Sequence, residues 1–196
     1  KSAQMSKKLN EVSILGLSKI TEARDISTSA HIRRMGDLCY LLAKQLSQHD
    51  RYKEYIGDQY CNDIRVAAPL HDVGRVGLPD YVLQKEAGLS VSEFETMKMH
   101  VIIGGDLIAE LQKSLPYRTY YTLAKDIAYH HHQKFDGTGY PNVLLENHQE
   151  SFFIQEGIGT ALKGTDIPLS ARIVAVADVY DALVSKRVYK NAMTHD

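Results

Sequence analysis

Apolar side chains recur at three- and four-residue spacing along most of this chain, and no stretch sustains the two-residue alternation of a half-buried strand. That restricts the fold to packed helices. Leu9, Val12, Leu15, Leu17 and Ile20 outline a first amphipathic helix, readable as a linker or coiled coil entering from upstream. A second begins near Ser29, with Ile32, Met35, Leu38, Cys39, Leu42, Ala43 and Leu46 on one stripe. Ile64, Ala67, Ala68 and His71 suggest a third that ends at Gly74, where freedom from a Cβ lets the chain turn. Ser90 to Leu115 reads as two helices pinched at Gly104-Gly105, the first with an acidic opening turn at Ser92-Glu93-Phe94-Glu95. Leu123 to His132 and Leu169 to Lys186 complete an all-α domain. Asn142 to Asp166 carries no helical stripe and is expected to be a long, partly irregular insertion, a flap or short hairpin.

At 196 residues and 44% hydrophobic, the chain can bury a core without staples. Its 23 Lys and Arg against 24 Asp and Glu give a net charge of -1, which excludes the cationic field of a protein that coats DNA or RNA. Cys39 and Cys61 form neither a metal-binding spacing nor a disulfide framework and suit a reduced, cytoplasmic setting. No apolar run approaches the roughly 20 residues that span a bilayer, and no signal peptide is visible. The chain opens without an initiator Met and in mid-pattern, which reads as a fragment with room for an upstream sensor or membrane segment.

The chemistry-bearing residues are spread along the chain. His71-Asp72 puts an imidazole beside a carboxylate, which can face one cluster of cations with the carboxylate bridging two of them. A lone His-Asp pair is usually solvated, and so is a lone helical His such as His31 or His100. Three consecutive imidazoles, His130-His131-His132, cannot point one way on a helix, so at most two serve one site. Asp178 stands among Ala171, Ile173, Val174, Ala175, Val176, Ala177 and Val179, where burying an unpaired carboxylate would cost several kcal/mol. A metal or an Arg is expected beside it.

Taken together, these blocks resemble the HD-GYP domain, a branch of the HD-domain metallophosphohydrolases. The resemblance runs from about Thr21 to Lys190. It rests on His31-Ile32-Arg33-Arg34, Leu70-His71-Asp72-Val73-Gly74, Gly77-Leu78-Pro79-Asp80, and Met97-Lys98-Met99-His100 with Gly104. It continues through His131-His132, Phe135-Asp136-Gly137-Thr138-Gly139-Tyr140-Pro141, Ala177-Asp178-Val179-Tyr180-Asp181-Ala182-Leu183 and Arg187-Val188-Tyr189-Lys190. It implies residues 1–20 as a linker or N-terminal helix and 21–196 as a helical-bundle phosphodiesterase domain. That domain would hydrolyse cyclic di-GMP to pGpG and/or GMP. The metal ligands it implies are His31, His71, Asp72, His100, His131, His132 and Asp178, with Asp72 bridging and catalytic. Two divalent ions are expected, iron or manganese by family habit, with nickel or zinc also compatible with these donors. Arg75 is expected to be catalytic with Asp72, and Arg187, Lys190, Arg75 and Tyr140 are expected to touch substrate. The family also associates the Gly139-Tyr140-Pro141 loop with partners such as diguanylate cyclase domains, and a homodimer is a further expectation.

Three departures from the family pattern stand out. Arg75 replaces the usual Lys, keeping the positive charge and a two-nitrogen grip on phosphate but unable to shuttle protons. Ser27 stands where some members carry a third-metal Glu, which favours two metals. Twenty-five residues separate Pro141 from Ile167, where the family has a short loop. Cyclic di-GMP is the first substrate expected and cyclic GMP-AMP the second. The alternatives are a degenerate cyclic-dinucleotide sensor and, last, a phosphohydrolase of monomeric nucleotides.

Overall fold

In the computed structural model, residues 14, 16, 18, 21, 29–114, 119–141 and 162–185 are described. Their regular elements are α1 (Ser29–Leu46), α2 (Asp58–Ala67), a short α3 (Asp80–Leu83), α4 (Val91–Ser114), α5 (Thr119–His130) and α6 (Leu169–Val184). Single 3-10 turns cover Ala68–Leu70, Val73–Gly77 and Gly164–Asp166, and no strand occurs among the described residues. The all-α expectation holds.

The stripe read from α1 is the one that packs. Ile32, Met35, Cys39 and Ala43 are buried, and the last three share one core with Ile64 and Ala67 of α2, Ala124, Ile127 and Ala128 of α5, and Val174 and Ala177 of α6. Gly36 lets α1 lie on α2 at backbone distance, since a Cβ there would come within 2.7 Å of the Arg65 carbonyl oxygen. The five residues of the first stripe lie outside the described residues; Ile14, within the same span, is helical and buried in the same core. Nearby Ser18 donates to the Pro69 carbonyl at 3.0 Å.

Two sequence expectations need correction around α4. It is one unbroken helix of 24 residues rather than two. Ser90 and Glu93 close its start as a reciprocal cap: the Glu93 amide donates to Ser90 Oγ, and the Ser90 amide donates to Glu93 Oε2 at 2.6 Å. Gly104 and Gly105 do not break the helix because tertiary packing outweighs the roughly 1 kcal/mol that each glycine costs. Gly104 lies against Gly74, and a Cβ on Gly105 would sit 2.1 Å from the Tyr129 ring. Gly74, for its part, needs no left-handed conformation; among the described residues only Gly137 and Gly164 have positive φ. It is required because the turn after His71-Asp72 presses on α4.

The third expected helix is also shorter than its stripe. α2 stops at Ala67, Pro69 opens a 3-10 turn, and His71 and Asp72 fall between two such turns instead of on a helix face. The irregular insertion lies mostly outside the described residues, which resume at Leu162 and pass through the Gly164–Asp166 turn.

Candidate metal centre

Three helices and two turns bring seven nitrogen and oxygen donors to one place. α1 contributes His31, the turn after α2 contributes His71 and Asp72, α4 contributes His100, the residues just after α5 contribute His131 and His132, and α6 contributes Asp178. They divide into two groups, each with ligand atoms within 4.8 Å of one another: Asp72, His100, His131 and His132; and His31, His71 and Asp178. Asp72 joins the two. Its Oδ1 is 3.3 Å from His100 Nε2 and 3.7 Å from His131 Nε2, while its Oδ2 is 3.1 Å from His71 Nε2.

The backbone sets how the rings point. His71 Nδ1 lies 3.0 Å from the Ala68 carbonyl, His100 Nδ1 2.6 Å from that of Met97, and His131 Nδ1 2.9 Å from that of Ile127. His31 Nδ1 meets Asp181 Oδ2 at 2.8 Å. Each acceptor calls for the proton on Nδ1, which leaves the Nε2 lone pair aimed into the cluster. These lone pairs face one another and a carboxylate: His100 Nε2 and His131 Nε2 are 3.5 Å apart, and the buried His71 Nε2 and Asp72 Oδ1 have no hydrogen-bond partner. Acceptors packed against acceptors in a buried site fit cations. No thiolate joins them, since Cys39 and Cys61 are buried elsewhere.

Electrostatics keep most of these groups in ligand form. Burial pushes His100 down to about 4, and burial with the neighbouring His131 and His100 pushes His132 down to about 2. His31 is lowered by burial and by His71. Burial also opposes charge on His71, but the Asp72 carboxylate overcomes it and lifts that imidazole to about 9. Asp72 is held well below the usual carboxylate range against its burial, by Arg75 and then His71.

Asp178 departs from its expected setting. Its side chain is 29% exposed and faces the cluster, 3.8 Å from His31 Nε2. The deeply buried carboxylate of α6 is Asp181, three residues on, which accepts from Arg34 Nε at 2.5 Å and Arg34 Nη2 at 3.0 Å besides meeting His31. Asp181 thus orients His31 from behind. Sequence reasoning gave it no role, although its spacing of three from Asp178, matched by Arg34 three after His31, was a signal for two residues on one helix face.

Arg75 holds Asp72 directly, with Nη2 2.9 Å from Oδ2. Tyr140 stacks on His132 with ring centroids 4.6 Å apart. His130, the remaining member of the triplet, belongs to neither donor group. Arg187 and Lys190 lie outside the described residues. A cavity of about 710 Å³ opens beside His132 and Tyr140, walled by Phe94, Lys98 and Met99 of α4.

A family model described as HD domain matches residues 31–196. The chain belongs to the HD domain family. It is 41% identical, over 97% of its length and 35% of the relative's, to a cyclic di-GMP phosphodiesterase of Vibrio cholerae. It is 35% identical to a cyclic di-GMP phosphodiesterase of Thermotoga maritima, over 89% of this chain and 39% of that one. Identity is again 35% to the 3'3'-cGAMP-specific phosphodiesterase 2 of Vibrio cholerae, over 93% of this chain and 29% of the relative. Such names place this HD domain in the HD-GYP branch. The chain spans roughly a third of the length of these relatives. No helix among the described residues is long and apolar enough to cross a membrane.

Proposed function

We propose that this chain is the catalytic domain of a metal-dependent phosphodiesterase that opens a cyclic dinucleotide, cyclic di-GMP first, in the cytoplasm. The observation that carries the reading is Asp72, whose two oxygens face two separate groups of imidazoles, as a carboxylate shared by two cations requires. His31, His71 and Asp178 would hold one ion; His100, His131 and His132 would hold the other. Iron or manganese is the favoured pair, and nickel and zinc are compatible with the donors. When bound, such ions lower the pKa of water and stabilise charge building on phosphoryl oxygens.

The chain's own residues supply the rest. Asp72 and Arg75 form a carboxylate–guanidinium pair at the site; Arg75 stabilises phosphate charge but, always protonated, moves no proton. Tyr140, stacked on His132, flanks the substrate, which favours a substrate-side role for its loop over a protein-docking one. Arg187 and Lys190 are proposed to contact the ligand's phosphates. Cyclic GMP-AMP is the second reading, favoured by the relative named for that substrate.

The test is anaerobic purification, metal analysis and chromatography of the products from both cyclic dinucleotides, with His71→Ala and Asp72→Ala beside the parent. Turnover in the parent that both substitutions abolish is expected. A folded, metal-loaded parent inert toward both substrates would refute the enzyme and leave a sensor.

A further inference from the structure

The cavity beside His132 has a corner that the chemistry at the metal centre does not use. Phe94 and Tyr140 meet edge to face, centroids 6.3 Å apart and planes at 82°. The Lys98 ammonium lies over both rings, 5.0 Å from the Phe94 centroid and 5.7 Å from that of Tyr140. Glu95 holds the same ammonium at 2.7 Å. Phe94 remains exposed and the Lys98 side chain is 28% exposed, so a ligand reaches all four groups. The ammonium sits in the angle between the two rings and Tyr140 keeps one face on His132, so a base entering this corner would lie against Phe94 with the ammonium and the carboxylate at its edge. Tyr140 also stacks on His132, so a base in this corner would have its own phosphate next to the donor cluster.

We propose that Phe94, Lys98, Glu95 and Tyr140 form a guanine-selective base pocket that sets the substrate preference of this domain; it rests on the phosphodiesterase reading given above. The edge of guanine presents two acceptors, N7 and O6, and then two donors, N1–H and N2–H. An ammonium adjacent to a carboxylate matches that order, Lys98 taking the acceptors and Glu95 the donors. Adenine alternates instead: N7 accepts, N6–H donates and N1 accepts, so one of the two charged groups meets a like partner. Stacking on aromatic rings is indifferent to the base and supplies affinity to both. Lys98 and Glu95 therefore choose, while Phe94 holds and Tyr140 walls the corner.

The experiment is calorimetric titration of the metal-loaded protein with GMP and with AMP, whose identical phosphates cancel any contribution from the metal centre. Parent protein is expected to bind GMP roughly tenfold or more tightly than AMP. Lys98→Met, which keeps the stem and removes the charge, should bring GMP to the level of AMP, with metal content and circular dichroism unchanged. Glu95→Gln should weaken GMP by a smaller factor. In turnover, Lys98→Met should raise KM for cyclic di-GMP at least tenfold with kcat within a factor of two or so of the parent. The pocket assignment falls if AMP matches GMP in the parent, if neither binds, or if Lys98→Met leaves GMP affinity and KM unchanged. A protein that prefers GMP through Lys98 yet hydrolyses neither cyclic dinucleotide retains the pocket and loses the phosphodiesterase. Hydrolysis with a KM indifferent to Lys98 does the reverse.

Discussion

Replacing Gly74 by Ala tests how closely the donor cluster depends on backbone contact. A Cβ built on Gly74 would lie 1.9 Å from the His100 carbonyl oxygen, 2.4 Å from the Gly104 nitrogen and 2.9 Å from its Cα. All three are main-chain atoms of α4, so no side chain can swing aside. Ordinary van der Waals contact starts at 3.4 Å, and the methyl is about 1.5 Å short of it. Relief must come from separating α4 from the turn that carries Asp72. Asp72 Oδ1 and His100 Nε2 are now 3.3 Å apart. Two donors at about 2.1 Å from one cation can be no more than about 4.2 Å apart, and the full displacement would open them to about 4.8 Å. We therefore expect Gly74→Ala to lose the ion shared by Asp72 and His100. It should also lose about 3 kcal/mol of stability through overpacking against main chain, seen as a fall in Tm of roughly 6–12 °C. Mass-spectrometric metal counting and thermal melts of parent and variant read both effects. Gly88→Ala, where a Cβ meets nothing within 4 Å, serves as the control and should match the parent. A Gly74→Ala protein with full metal content and a Tm within about 2 °C of the parent would refute the reasoning.

Three other perturbations probe different parts of the molecule. Asp181→Asn should lower the unfolding free energy by about 1–2 kcal/mol by weakening an ion pair whose Arg34 side is 40% exposed, and metal counting should show selective loss from the His31, His71 and Asp178 group, because His31 loses the acceptor that fixes its ring; an unchanged metal count would remove Asp181 from the account. Glu93 is depressed to about 2, by its hydrogen bond from Lys85 first and then by that from the Ser90 amide. Its contribution to stability is thus complete above the unfolded value of about 4.3 and lost as pH falls from there toward 2, so Glu93→Gln should flatten the acid limb of a Tm-against-pH curve over that window. Chelation should lower the Tm of the parent by the amount that bound ions contribute, about 2.7 kcal/mol at a hundredfold excess over Kd, and should leave Asp72→Ala almost unmoved; equal shifts in the two would argue against Asp72 as the shared donor.

Much of the fold was legible because the stripe on α1 depends only on helix geometry: Ile32, Met35, Cys39 and Ala43 share a face whatever lies opposite. What failed was local reasoning about residues whose role is set by a neighbour distant in sequence. Gly104 and Gly105 look like helix breakers until Gly74 and Tyr129 are seen pressed against them. Asp178 looks buried from its apolar neighbours in sequence, yet it faces the opening of the cluster, and Asp181 takes the buried place because Arg34 and His31 reach it there. Among the proposed donors, type and order in the chain were readable, whereas their division into two groups around Asp72 needed the turn that takes His71 and Asp72 off the helix. The groove made by Phe94 and Lys98 escaped notice because a Phe and a Lys at i and i+4 on a helix read as ordinary surface until the Tyr140 loop closes over them.

The ties from three of the imidazoles to main-chain carbonyls carry a further consequence. Those rings owe their direction to helix ends and turns that form with the core, so the polypeptide shapes the cage before any ion arrives. An occupant of such a cage exchanges without unfolding the bundle, so its identity would follow what the surrounding medium supplies as much as the intrinsic preference of the donors.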